Sequence, residues 1–116
     1  MLYDKLNEAW DNQDTDAFMA LHRKDYQFTF HSDGRVMKKN DWDMGQLKSF
    51  MQNIKMEHGR CVYENEDILV RHNIVTFASG DKEAVMTVTL KKDGLFWRQE
   101  TGATPPVNRL ILTVCT

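Results

Sequence analysis

The segment Leu6-Asn7-Glu8-Ala9-Trp10-Asp11-Asn12-Gln13-Asp14-Thr15-Asp16-Ala17-Phe18-Met19-Ala20-Leu21-His22 constrains the fold more than any other part of this chain. Leu2, Leu6, Ala9 and Trp10 recur at spacings of three and four, which gives a first helix one apolar stripe. The polar run at 12–15 breaks that helix. Asp14 or Thr15 can then cap a second, short helix, whose positive end favours a carboxylate. Phe18, Met19 and Leu21 supply its buried side. A strand follows at once, because Tyr26, Phe28 and Phe30 alternate with Gln27, Thr29 and His31. Helix, break, helix and strand in that order predict a small α+β domain in which helices close over a sheet.

The rest of the chain extends the same plan. Ser32-Asp33-Gly34-Arg35 predicts a hairpin turn, since Asp-Gly accommodates the positive φ such turns need. The return strand is expected over 36–39. Asn40 is expected to cap a third helix beginning at Asp41, with Trp42, Leu47, Phe50, Met51 and Ile54 on its inner face. Beyond residue 54 the apolar period changes to two. Strands are expected over 56–64, 68–79, 83–91 and 95–104, and the short links between them favour an antiparallel meander. Pro105-Pro106 interrupts, and 107–114 reads either as a last strand or as an extended tail.

Composition narrows the functional classes. The 116 residues suffice for one domain, 1–116, that buries a core without disulfides or metal. A formal charge of −2 supplies no basic field for nucleic acid. Lys38-Lys39 and Lys91-Lys92 are pairs beside turns, which is the setting of solvated turn residues. No apolar run approaches the roughly 18 residues of a membrane span, and the first residues lack a basic-then-apolar signal pattern. Cys61 and Cys115 lie far apart and are expected to be small buried hydrophobes in a reducing cytoplasm. No two of His22, His31, His58 and His72 have the spacing of a metal-binding pair, so no metal and no cofactor is expected. A nucleophile elbow and a glycine-rich phosphate loop are both missing.

The segment 9–21, with its Ala-Trp opening, its Asp14 and its Ala17-Phe18, resembles the first helices of the NTF2-like superfamily, particularly its SnoaL-like branch. Asp25-Tyr26-Gln27-Phe28 resembles the aspartate-plus-strand step that follows there, and Lys92-Asp93-Gly94-Leu95-Phe96-Trp97-Arg98 resembles its late hairpin. The likeness covers residues 3–104. It implies an NTF2-like (cystatin-like) cone: N-terminal helices packed on a strongly curved, mainly antiparallel sheet, with a pocket at the open end. It also implies a homodimer formed through the outer face of the sheet. Ketosteroid isomerase, an NTF2-like enzyme whose carboxyl pKa tuning is a standard worked case, needs a first-helix tyrosine and a strand aspartate. Counting from Asp14, those places fall on Leu6 and near Phe30. Neither side chain can donate to an oxyanion or carry a proton, so steroid-isomerase chemistry is disfavoured.

The remaining polar residues supply the candidates. His22 closes the second helix, where a cation suits the negative end. His31 is out of phase with Phe28 and Phe30 and is expected at the surface, beside the hairpin turn, with a pocket base as the alternative. His58 precedes Gly59 within a strand, the setting of a bulge. His72 lies mid-strand on the phase of Val70, Ile74 and Thr76, which leaves a pocket, a dimer interface and solvent all open. Its ordinary pKa, about 6.5, suits acid–base work. Arg98 and Glu100 share one face of the last meander strand. If that face lines the cone they could hold a polar ligand, and if not they form a surface ion pair of little energetic weight. The pocket reading therefore takes His72 and Glu100 as catalytic candidates, and Trp42, Phe28, Phe30 and Arg98 as ligand-binding candidates. It expects a small, mostly apolar ligand and cofactor-free acid–base chemistry of isomerase, dehydratase, cyclase or hydrolase type. The alternative is a non-catalytic dimeric domain that binds ligands or other proteins.

Overall fold

A computed structural model describes residues 1–105. Helix α1 (Leu2–Asp11) buries Leu2, Leu6 and Ala9, the stripe expected from their spacing. The chain reverses at Gln13, which holds a positive φ of 51°. Asp14 then caps α2 (Thr15–Ala20), its Oδ1 accepting from Ala17 N at 3.0 Å. Strand β1 (His22–Phe30) starts four residues before the alternation becomes visible in the sequence. The cause is tertiary: Phe96 N donates to Leu21 O at 2.8 Å, and His22 pairs with Phe96 in the sheet. His22 is therefore not a helix cap exposed to water. It is the first, buried residue of β1, 3% exposed.

After the hairpin, where Gly34 takes φ 74°, come the short β2 (Val36–Lys38) and α3 (Met44–Asn53). The expected start of α3 is displaced. Residues 39–41 form a single 3₁₀ turn, in which the Asp41 carboxylate reaches back to Lys38 N at 2.8 Å. Trp42 then adopts extended backbone, and Asp43 rather than Asn40 caps the helix through Gln46 N. The four later strands are β3 (Lys55–Glu64), β4 (Ile68–Thr76), β5 (Lys82–Lys92) and β6 (Leu95–Thr104). Strand β4 stops three residues short of the expected end, where a turn closed by Phe77 N to Asp81 O begins. The stretch 107–114 lies outside the described residues.

The sheet order is β2-β1-β6-β5-β4-β3. The meander β3 to β6 is antiparallel throughout, and only β1 against β6 is parallel. The result is an open six-stranded mixed sheet with helices on one face, an α+β cone. Among the described residues no helix is long and apolar enough to cross a membrane.

On β4 and β5 the helix-covered face of the sheet is not the more apolar one. On β4 it carries Leu69, Arg71, Asn73 and Val75, and on β5 Thr87, Thr89 and Lys91. The Lys91 Nζ meets Glu64 Oε2 at 2.6 Å and also donates to Asn65 O at 2.7 Å, with both side chains almost wholly buried. The same Glu64 oxygen accepts from Tyr3 N at 3.3 Å, which ties an orphan donor of the first turn of α1 to the sheet. Removing one partner of such a pair leaves an uncompensated buried charge. Lys91→Met is therefore expected to cost about 3–5 kcal/mol, and Lys91→Met with Glu64→Leu clearly less. Urea unfolding of both variants measures the order, and equal losses would contradict it.

His22 joins the helices to the sheet. Its Nδ1 donates to Phe18 O at 2.7 Å, and the rings of Phe18, Tyr26, Trp42 and Phe96 surround it at centroid distances of 4.7, 4.6, 5.1 and 5.2 Å. Burial lowers its pKa from 6.5 to about 4, against the opposing bond to the Phe18 carbonyl and with the aid of the Lys39 and Arg71 charges. The unfolded chain thus binds a proton that the folded chain refuses between pH 6.5 and 4. Stability is expected to fall as pH drops through that window, by up to about 3 kcal/mol, and to lose nothing further from this group below it. Unfolding free energies across the window test this. A slope that persists unchanged in His22→Phe would assign it to other groups.

Candidate functional site

A cavity of about 800 Å³ opens between the helices and the sheet, within the size range of small-molecule sites. Leu6 and Trp10 from α1, Phe18 from α2, and Phe28 and Phe30 from β1 supply apolar wall. Trp42, Leu47, Phe50 and Met51 close the side formed by α3 and its lead-in. Aromatic edges interlock there, with Trp10 against Phe18 and Phe50 at 6.1 Å and Trp42 stacked on Phe18 at 5.4 Å.

The floor is polar. His22, Tyr26 and Asn73 line it while being 3%, 1% and 7% exposed, and Arg71 reaches it from β4. Burial pushes the Tyr26 phenol well up, opposed by the Arg71 charge. Burial also lowers the Arg71 pKa, opposed by Tyr26 and Tyr3. The guanidinium is thus felt by Tyr3, His22 and Tyr26 together. With Nδ1–H committed to Phe18 O, the His22 Nε2 is left as an acceptor. The backbone at Gly59 also borders the floor: a Cβ there would make ordinary contact with Asn73 Nδ2 at 3.4 Å and Tyr3 Oη at 3.6 Å. Chemically the floor offers one cation, two phenols, an amide and a neutral imidazole.

Carboxylates lie at the rim instead. Asp11, Asp41 and Asp43 line the mouth, all exposed, and the last two are engaged as backbone caps. Among the described residues no three His, Cys, Asp or Glu side chains converge as a metal site.

The candidates from the sequence divide cleanly. Trp42, Phe28 and Phe30 line the cavity. His72, Arg98 and Glu100 are not on its wall and are not brought together there. His72 has the opposite phase from Arg71 and Asn73 and pairs with Arg60 and Met86 on the outer face. The Arg98 Nη1 donates to Asp25 O at 2.6 Å, and its guanidinium stacks on Trp97 at 4.5 Å. Glu100 is exposed, opposite Val88 and Thr29. A bulge explains β6: Leu90 faces Arg98 while Lys91 faces Phe96, so the extra residue turns Phe96 and Gln99 inward and leaves Arg98 outside. The bulge expected at His58 is present, with φ 54° and a register shift across it. His31 is exposed.

Sequence reasoning missed Tyr3, His22, Arg71 and Asn73 as floor residues. The available signal was the alternation Leu69, Arg71, Asn73, Val75. It was masked by the more apolar alternate set Ile68, Val70, His72, Ile74, which reads as the core face.

No protein-family profile matches the sequence, and no curated protein matches it. Solved structures do. An NTF2-like protein of unknown function from Cytophaga hutchinsonii superposes with TM-score 0.71 at 10% identity, over 90% of this chain and 88% of that one. An NTF-2 like protein of unknown function from Burkholderia xenovorans gives 0.65 at 12% identity, over 91% and 84%. IdmH of Streptomyces antibioticus, proposed to be a polyketide cyclase, gives 0.65 at 12% identity, over 87% and 88%. Agreement of this extent at such low identity is agreement of architecture: the chain has the NTF2-like fold.

Proposed function

We propose that this chain is a SnoaL-like pocket protein that takes a small, mostly apolar molecule into the cavity between its helices and sheet. The observation that carries this reading is the pairing of extensive aromatic wall with a floor of few, convergent polar groups, the usual construction of a small-molecule site. Chemistry at such a floor is cofactor-free acid–base chemistry of the isomerase, dehydratase, cyclase or hydrolase kind. Arg71 and Tyr26 would stabilise an oxyanion, and the neutral His22 Nε2 would accept a hydrogen bond from the ligand. Leu6 and Phe30, on or near which the count from Asp14 puts the steroid isomerases' polar groups, line the cavity as apolar wall, and among the described residues the lining carboxylates are exposed ones. The exposed thiol of Cys61 is compatible with a reducing cytoplasm as the working compartment.

The test is a neutral fluorescent probe, N-phenyl-1-naphthylamine. Saturable one-to-one binding is expected, weakened about tenfold by Phe50→Ser, which removes mouth wall without opening the core. Absence of saturable binding, or binding indifferent to Phe50→Ser, would remove the reading.

A second reading rests on the outer sheet face, where Met86, Val88 and Leu90 are 38%, 37% and 41% exposed on one strand. Such a row is unusual for a face left to water and suits a homodimer. Light scattering should give twice the 13.6 kDa of one chain, and Leu90→Glu should give the single-chain mass. A wild-type monomer would leave this face without that role.

A further inference from the structure

Arg71 carries a charge that its surroundings do not answer. It sits on the inward phase of β4 between Leu69 and Asn73, in a cavity walled by aromatic rings. Its Nε is fully buried with no hydrogen-bond partner among the described residues. Its Nη1 reaches Asn73 Oδ1 only at 3.5 Å, the outer limit of a hydrogen bond. Arg71 takes part in none of the ion pairs among the described residues. Glu64, which faces Leu69 across the sheet, is committed to Lys91 and to Tyr3 N.

A guanidinium has five donors in a rigid fork that matches a carboxylate, and a buried, unpaired one is costly. The groups around it fit an anion too. Tyr26 and Tyr3 are phenols that can donate, and Asn73 offers an amide. Among the described residues the carboxylates on the cavity lining, Asp11, Asp41 and Asp43, are exposed ones at its mouth, and the exposed Lys55 that also lines it is paired with Glu57. The three carboxylates disfavour an anionic group at the rim, and with Lys55 already answered by Glu57 they orient a charged molecule with its anion at the floor.

We propose that the ligand of this cavity is an apolar carboxylic acid bound as its anion, with the carboxylate on Arg71 and the hydrophobic body against Phe28, Trp42 and Phe50. This deepens the pocket reading and rests on it. A sulfonate or phosphate head would use the same donors. The carboxylate is preferred because two parallel N–H···O bonds fit the flat fork best in a floor this enclosed.

Isothermal titration at neutral pH with 2-naphthoate and its neutral isostere 2-naphthamide separates charge from shape. Wild type should bind the naphthoate at least about tenfold more tightly. Arg71→Met should erase that preference while holding the naphthamide within about threefold. It should also fold at least as stably as wild type, since it removes an unanswered buried charge. Arg71→Lys, which keeps the cation and loses the fork, should retain part of the preference. The naphthamide binding as well as or better than the naphthoate in wild type would overturn the proposal and leave the pocket reading standing. So would a preference that survives Arg71→Met. Failure of both compounds to bind would remove the pocket reading and this proposal with it. The wild-type comparison needs no variant to fold.

Discussion

One neutral imidazole, packed among four aromatic rings and pinned to a helix carbonyl, organises this molecule. His22 receives Phe18 from α2, Tyr26 from its own strand, Phe96 from β6 and Trp42 from the lead-in to α3. Around that shared centre α2 and the lead-in to α3 meet the sheet largely through apolar packing, which is non-directional. The bond from Nδ1 to Phe18 O supplies the direction. It also explains why β1 leaves α2 with only Leu21 between them: the ring must sit under the helix it has just left. The floor of the cavity is the underside of the same cluster, so what holds the helices also shapes the site.

The sheet divides its chemistry in an unexpected sense. Over β3 to β5 its covered face carries Arg71, Asn73, Thr87, Thr89 and the Lys91–Glu64 pair, and the open face of β5 carries Met86, Val88 and Leu90. Burial of so much polar surface is tolerated because most of it is partnered. Lys91 has two acceptors and Thr89 donates to Gln99 Oε1 at 3.2 Å. Arg71 stands apart from this pattern.

This inversion decides what could be read from the sequence. The element order, the meander and the break after α1 were legible, because helix spacing, period-two alternation and turn residues are local signals. The apolar cavity wall was legible for the same reason: Phe28, Phe30 and Trp42 announce themselves. The polar floor was not. In β4 two interleaved sets compete, and Ile68, Val70 and Ile74 outweigh Leu69 and Val75 in apolar bulk, although the sheet turns the second set inward. In β6 one extra residue shifts the phase, so Arg98 and Glu100 cannot be placed by counting from Phe96. His22 sits at the end of a helix by local reading and is claimed by the sheet through Phe96, a residue far along the chain. Nonlocal pairing decided all three.

The outer strand β3 has a consequence of another kind. It is a ten-residue sheet edge, most of it exposed, and a straight edge of that length is a template on which further chains can polymerise. This one is broken twice, at His58 with its positive φ and again between Cys61 and Tyr63. Lys55 and Arg60 add charge along it. A kinked, charged ladder offers no continuous register to an incoming strand. The opposite edge, β2, is only three residues long. The molecule can therefore display apolar side chains on an open sheet face and still resist growing into fibres from its edges.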